Sequence, residues 1–207
     1  MGIGRQHQCV HHTKINFTYK QLDLQNNQHT ADVINSFQPT HIVHLASQSS
    51  VGKSWLEPKQ TFENNTLIFL NIIEQVRLQK LHCRILSVGS GEEYGIVSEE
   101  LMPLKESTPL KPNNPYAVAR VSQEMLADVY VRGYDMDIVL TRSFNHIGPG
   151  QSDQFVISSF AKKIIQTVLS KPTEPTIHTG DISIIRDFLD VRDVIHAYHT
   201  LLEKGKS

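Results

Sequence analysis

Three short apolar runs limit the folds open to this chain: His41-Ile42-Val43-His44-Leu45-Ala46, Cys83-Arg84-Ile85-Leu86-Ser87-Val88 and Asp137-Ile138-Val139-Leu140-Thr141. Each has the length of a strand, and the last two read as strands buried on both faces. Around them lie segments of helical period: Thr30 to Phe37, Pro58 to Gln79, Tyr116 to about Arg132, Phe155 to Ser170 and Val191 to Lys204. Strands alternating with helices predict an α/β fold, a parallel sheet with helices on both faces. In open sheets of this kind ligands sit at the carboxyl ends of the strands. With 207 residues and 39% apolar composition, the chain is long enough for one well-buried core, and residues 1–207 are expected to form a single domain.

Charge and cysteine content exclude several function classes. A formal net charge of -1, with Lys and Arg scattered along the chain, provides no basic field for nucleic acid. Cys9 and Cys83 lie in unlike contexts, so a reducing compartment is expected instead of a disulfide framework. No signal-peptide pattern opens the sequence, and no apolar run approaches the roughly 20 residues of a membrane span. A cytoplasmic protein without a membrane partner is expected. His7, Cys9, His11 and His12 can be drawn as a zinc set, but no second ligand pair stands at finger or ribbon spacing, so a polar loop and no metal are expected.

The chemistry concentrates in two stretches. The strand Cys83–Val88 runs into Gly89-Ser90-Gly91-Glu92-Glu93-Tyr94-Gly95, which puts Ser90 at a strand's carboxyl end. Downstream, Pro115 sits where it opens a helix, so Tyr116 and Arg120, four residues apart, share one face. A fixed cation beside a phenol favours the phenolate, which suits the tyrosine to proton exchange with a carbonyl or hydroxyl. A core tyrosine beside an exposed arginine is the alternative at this spacing.

Ser90, Tyr116 and a basic residue four positions on resemble the Ser/Thr, Tyr, Lys constellation of the extended short-chain dehydrogenase/reductases, the NAD-dependent epimerase/dehydratase family. The wording of Gly89–Gly95, of Pro115-Tyr116-Ala117-Val118 and of Arg142-Ser143-Phe144-Asn145-His146-Ile147-Gly148-Pro149-Gly150-Gln151 is most similar to the GDP-4-keto-6-deoxy-mannose reductases, with the GDP-mannose 4,6-dehydratases next. The resemblance implies a Rossmann-like sheet. It also implies that the chain lacks the family's first βα unit, with its Gly-x-x-Gly-x-x-Gly turn, and the end of the substrate lobe, which residues 150–190 begin. Arg120 stands where the family has Lys, and a planar, bulkier guanidinium is not a neutral replacement. Ile68 stands where the family has Gly.

By the same resemblance the cofactor is NADP or NAD, held by Arg5, Asp23, Leu24, Leu45, Ala46, Gln48, Tyr116, Arg120, Asn145 and His146. Arg5 faces an adenosine 2'-phosphate on this reading and is otherwise a loop arginine. Asp23, at the end of an expected strand Phe17–Leu24, is an adenine contact or a turn residue. His44 is expected in the core with its ring satisfied. A GDP-sugar substrate is implied, bound by Ser90, Asn145, Phe155, Val156 and Arg186, where Arg186 meets a diphosphate or bonds Asp187 or Asp190. The implied catalytic set is Ser90, Glu92, Tyr116 and Arg120. Glu92 discriminates: dehydratases use a glutamate there as a base, which keeps that activity open beside 4-keto reduction. Helices 58–79 and 116–132 are implied to form a homodimer, or else pack within one chain. A non-catalytic binding or dimerisation module is the remaining reading. Without its sheet neighbours, Phe17–Leu24 is expected to pair with the remaining sheet or to be poorly held.

Overall fold

A computed structural model describes residues 1–5 and 16–207, so the possible zinc set at His7, Cys9, His11 and His12 lies outside the described residues. Two compact units make up the described chain: residues 1–142 with 201–207, and residues 143–200.

The first unit holds two parallel sheets. Strands β3 (His41–His44), β4 (Arg84–Val88) and β5 (Ile138–Thr141) pair in the order β3-β4-β5, in register from His41 opposite Arg84 and Ile85 opposite Ile138. All three apolar runs are therefore strands of one parallel sheet. Strand β1 (Gly2–Gly4) pairs in parallel with β2 (Tyr19–Gln21). The expected strand Phe17–Leu24 thus narrows to three residues, and it neither joins the larger sheet nor comes loose. The ladder explains why: the Gly2 amide donates to Thr18 O at 2.8 Å and the Leu22 amide to Gly4 O at 3.0 Å. The two glycines also make room for aromatic rings, since a Cβ on Gly2 would stand 2.6 Å from the Phe17 ring and one on Gly4 2.6 Å from Tyr19 Oη.

Helices cover the larger sheet. Helix α1 (Asn27–Phe37) begins three residues earlier than its apolar spacing suggests because Asn26 caps it, accepting from the His29 amide at 3.0 Å. Helix α2 (Val51–Leu56) follows β3. The expected helix Pro58–Gln79 is α3 (Pro58–Phe62), a π-helical turn (Glu63–Leu67) and α4 (Ile68–Leu78) in one continuous run. The wide turn carries Asn64, Asn65 and Thr66, all buried, and gives each side chain a partner: Asn65 exchanges bonds of 2.7 and 3.1 Å with the Gln48 backbone, and Thr66 Oγ1 donates to Ala119 O at 3.0 Å. Ile68 is part of the core with Phe69, Ile72, Ile73, Ile85, Ala127 and Ile138. Burying each large aliphatic or aromatic side chain there stabilises the fold by about 1.5–3 kcal/mol.

Helix α5 (Pro115–Tyr134) starts as expected, with Pro115 in its first turn and Asn114 accepting from the Ala117 amide at 2.8 Å. It runs two residues past Arg132 and ends on Asp135 in the left-handed region.

The second unit is built on β6 (Asn145–Ile147) and β7 (Phe188–Asp190), paired in parallel, with α6 (Val156–Ser170) and α7 (Val191–Lys204) as far as Thr200. The start of the Asn145–Gln151 stretch is a strand because it finds β7. Helix α6 has the expected length but buries none of its residues. Among the described residues no helix is long and apolar enough to cross a membrane.

Candidate active site

Strand β4 ends at Val88, and three features of the following chain fix what it presents. Gly89 passes so close to its neighbours that a Cβ would lie 2.3 Å from Thr141 O and 2.4 Å from Glu93 Oε1. Ser90 caps a 3-10 turn (Gly91–Tyr94), its Oγ accepting from the Glu92 amide at 3.2 Å. Gly95 turns the chain away at φ 69°, where a Cβ would sit 1.8 Å from Lys111 O. Glu92 is held from the other side: its Oε2 accepts from Asn114 Nδ2 at 3.1 Å, so the residue that caps α5 also steadies Glu92.

Arg120 ties α5 to the same strand end. Its Nε donates to Tyr116 Oη at 3.2 Å, Nη1 to Val88 O at 2.9 Å and to Gln123 Oε1 at 3.0 Å, and Nη2 to Ser47 Oγ at 2.5 Å. The alternative of an exposed arginine is thereby overturned, since Arg120 and Tyr116 are both buried. Four of the five guanidinium N–H groups are committed, which only a planar fork of donors can do at once. Gln123, three residues on, passes the connection to Ser87 Oγ at 2.7 Å. Gln123 carried no motif that could have marked it, whereas Ser47 stands between Ala46 and Gln48 in a stretch already expected at the cofactor.

His44 lies near enough to Arg120 to feel its charge. It is in the core, but its Nε2 has no hydrogen-bond partner among the described residues, which corrects the expected satisfied ring. Burial, reinforced by the Arg120 charge, lowers its pKa to about 3, so the imidazole is neutral; its ring packs at 5.3 Å from that of Phe69.

The residues expected at a cofactor divide between the two units. In the first, Arg5, Asp23, Leu24, Leu45, Ala46 and Ser47 line one cleft of about 660 Å³, together with β1 and β3. Arg5 Nη1 donates to Asn64 Oδ1 at 3.3 Å. Asp23 Oδ1 accepts from the Gln25 amide at 3.0 Å, a turn bond that leaves the carboxylate at the cleft, while Leu24 is buried in the core. The side chain of Gln48 bonds its own loop, Nε2 to Ser50 O at 3.0 Å. In the second unit, Asn145 Nδ2 donates to Asp187 O at 3.0 Å and His146 packs edge-on to Tyr198. Burial lowers the His146 pKa. Phe155 and Val156 open α6, half exposed. Among the described residues Arg186 bonds only its neighbour, Nη1 to Ile185 O at 3.2 Å, so the alternative of a bond to Asp187 or Asp190 is not formed; Asp190 pairs with Arg192 at 2.5 Å.

The profile of the family described as GDP-mannose 4,6 dehydratase matches residues 3–207. The chain belongs to that family. It is 36% identical over 169 residues to a GDP-6-deoxy-D-mannose reductase of Pseudomonas aeruginosa, covering 82% of this chain and 55% of that one. A GDP-mannose 4,6-dehydratase of Yersinia enterocolitica is 26% identical over 206 residues, covering 99% of this chain and 54% of the relative. The chain thus spans about half the length of the curated relatives it matches. Among solved structures, RMD from Pseudomonas aeruginosa complexed with NADPH superposes with a TM-score of 0.85 at 32% identity, covering 94% of this chain and 68% of that one. The fold is accordingly that of the Rossmann-type short-chain dehydrogenase/reductases.

Proposed function

We propose that this family member serves NADP(H)-dependent reduction of the C4 ketone of a GDP-6-deoxyhexose, with Ser90, Tyr116 and Arg120 as its working residues. The observation that carries the reading is the buried bond from Arg120 Nε to Tyr116 Oη, anchored through Val88 O to the strand end that presents Ser90. Tyr116 gives its proton to the oxygen of the reduced carbon, and the Ser90 hydroxyl hydrogen-bonds the same oxygen. The guanidinium, donating to the phenol oxygen at 3.2 Å, holds that oxygen in place.

The cleft residues fit the adenosine end of a dinucleotide: Arg5 supplies a cation for a 2'-phosphate, Asp23 an acceptor, and Leu45 and Ala46 a flat apolar wall. Gln48, Asn145 and His146 belong to the same proposed set. When bound, the nicotinamide supplies the hydride. A pyrophosphate is held by backbone N–H groups of a Gly-rich turn, which residues 1–207 do not contain. Residues 150–190 begin the substrate lobe on this reading, with Phe155, Val156 and an exposed Arg186 available to the nucleotide diphosphate. The half-exposed Phe62, Leu67, Val118, Met125 and Val129 on α3, the π turn and α5 support a homodimer through these helices. A cytoplasmic location completes the reading.

A second activity, GDP-mannose 4,6-dehydration, is favoured by one contact: the Asn114 bond that steadies Glu92 beside Ser90. A module that binds without catalysis is favoured by the commitment of four Arg120 donors inside the chain. Calorimetric titration with NADPH and NADH tests the proposal. Binding with preference for NADPH supports it; no binding of either at millimolar concentration excludes catalysis by this chain. Given binding, Arg120→Lys should raise turnover of the 4-keto sugar nucleotide by freeing a donor for the ribose, and unchanged turnover would show the guanidinium to be an adequate substitute.

A further inference from the structure

Glu93 is the most deeply placed acid of the molecule, with none of its surface exposed, and the proposed chemistry does not use it. It occupies the third position of the turn that Ser90 caps. Its Oε1 accepts from the Ser90 backbone amide at 2.6 Å. Its Oε2 is buried and accepts no bond from any donor among the described residues.

Two charged groups face this carboxyl. Glu124 reaches it from α5, and Arg142 from the chain just past β5. Arg142 is already engaged: Nη2 and Nε hold the two Glu124 oxygens at 2.6 and 2.9 Å, and Nη1 donates to Tyr94 Oη at 3.2 Å and Glu106 O at 2.8 Å. The cation therefore neutralises Glu124 and leaves Glu93 without a charge partner. Gly89 provides the space, because any side chain there would collide with Glu93 Oε1.

We infer that Glu93 is a positioning acid for Ser90: one oxygen anchors the Ser90 amide while the other carries a proton toward the Glu124 carboxylate, so the serine turn keeps its shape only while that proton is bound. The inference rests on the reading of Ser90 as a site residue. Burial first, and the Glu124 carboxylate after it, push the Glu93 pKa up to about 8, which keeps the proton in place at neutral pH. Once the proton leaves, two carboxylates face each other in a dry pocket, and the turn relieves the repulsion by moving Glu93 and the Ser90 amide together.

The test is the amide proton resonance of Ser90 in the isotopically labelled chain, followed from pH 6 to 9.5. It should move with a midpoint near 8. In Glu93→Gln, which keeps an acceptor for the Ser90 amide and a donor for Glu124 but cannot ionise, it should stay still. In Glu124→Gln, which removes the facing carboxylate, the midpoint should fall by about one pH unit. A stationary wild-type resonance, or the same titration surviving in Glu93→Gln, overturns the inference. Should Glu93→Gln fail to fold, the Glu124→Gln shift decides alone, and an unmoved midpoint there overturns it. No cofactor enters this measurement. Loss of NADPH binding would sink the proposed reduction without touching the Ser90 titration, and the reverse also holds.

Discussion

Helix α6 is the more apolar and the more amphipathic of the two long helices, yet α5 buries eight of its twenty residues and α6 none of its fifteen. The difference separates the two units. Around α5, polar groups lie in dry surroundings where a hydrogen bond fixes position and a neighbouring charge moves a pKa. Around α6, Ile165, Val168 and Leu169 face solvent, and Arg186 holds nothing but its own chain. Chemistry that depends on preorganised dipoles belongs with the first environment.

Matched truncations give the strongest challenge to that contrast. Phe69→Ala, at a fully buried position, should cost about 3–5 kcal/mol in urea unfolding of the first unit. Leu169→Ala, on the exposed face of α6, should stay within about 0.5 kcal/mol. A comparable loss at Leu169 would mean that the α6 stripe is covered in the working protein and would erase the distinction.

Gly89→Ala should follow at about 1–3 kcal/mol, because the added methyl meets both Thr141 O and Glu93 Oε1. It should also disturb the Ser90 amide resonance; a neutral effect on both would show that the turn is slacker than its contacts suggest.

Protonation sharpens the comparison further. His44 is neutral when folded, its pKa lowered from 6.5 to about 3, so the unfolded chain binds a proton that the native one refuses as pH falls through this range. Stability should therefore drop by about 1.4 kcal/mol per pH unit below about 6.5, and His44→Leu should flatten that limb in pH-dependent denaturation. Glu93 acts with the opposite sign. Its raised pKa favours the fold below the ordinary carboxyl range, and that contribution is lost as pH rises toward about 8. The smallest effect belongs to Asp137→Asn, which breaks the 2.8 Å pair between a half-exposed Asp137 and Arg84 and should cost less than about 1 kcal/mol.

Much of the first unit was legible in its residues. The three apolar runs are strands of one sheet, Pro115 opens α5, and the i, i+4 spacing of Tyr116 and Arg120 brings their side chains together. Glu93 was missed although Ser90-Gly91-Glu92-Glu93 has the Ser-x-x-Glu form of a capping box, which is the signal that could have found it. The π turn was not legible, since its cause is the set of partners waiting for Asn64, Asn65 and Thr66. Strands β6 and β7 are three residues each, too short for a period to show, and exist because they meet. The satisfied ring expected of His44 failed for a physical reason: a sequence names a residue's capacity to bond but not whether a partner will be within reach.

The cleft bordered by β1 and β3 sets a condition on handling the protein. Among the described residues each of these strands bonds a neighbour on one side only, and Val43 and Leu45 are exposed at the rim. Free ladder groups beside apolar side chains template the addition of any extended peptide, including the same edge of a second molecule. Precipitation should therefore grow with concentration through main-chain pairing, and a lysine placed at Val43 would be the mildest way to suppress it.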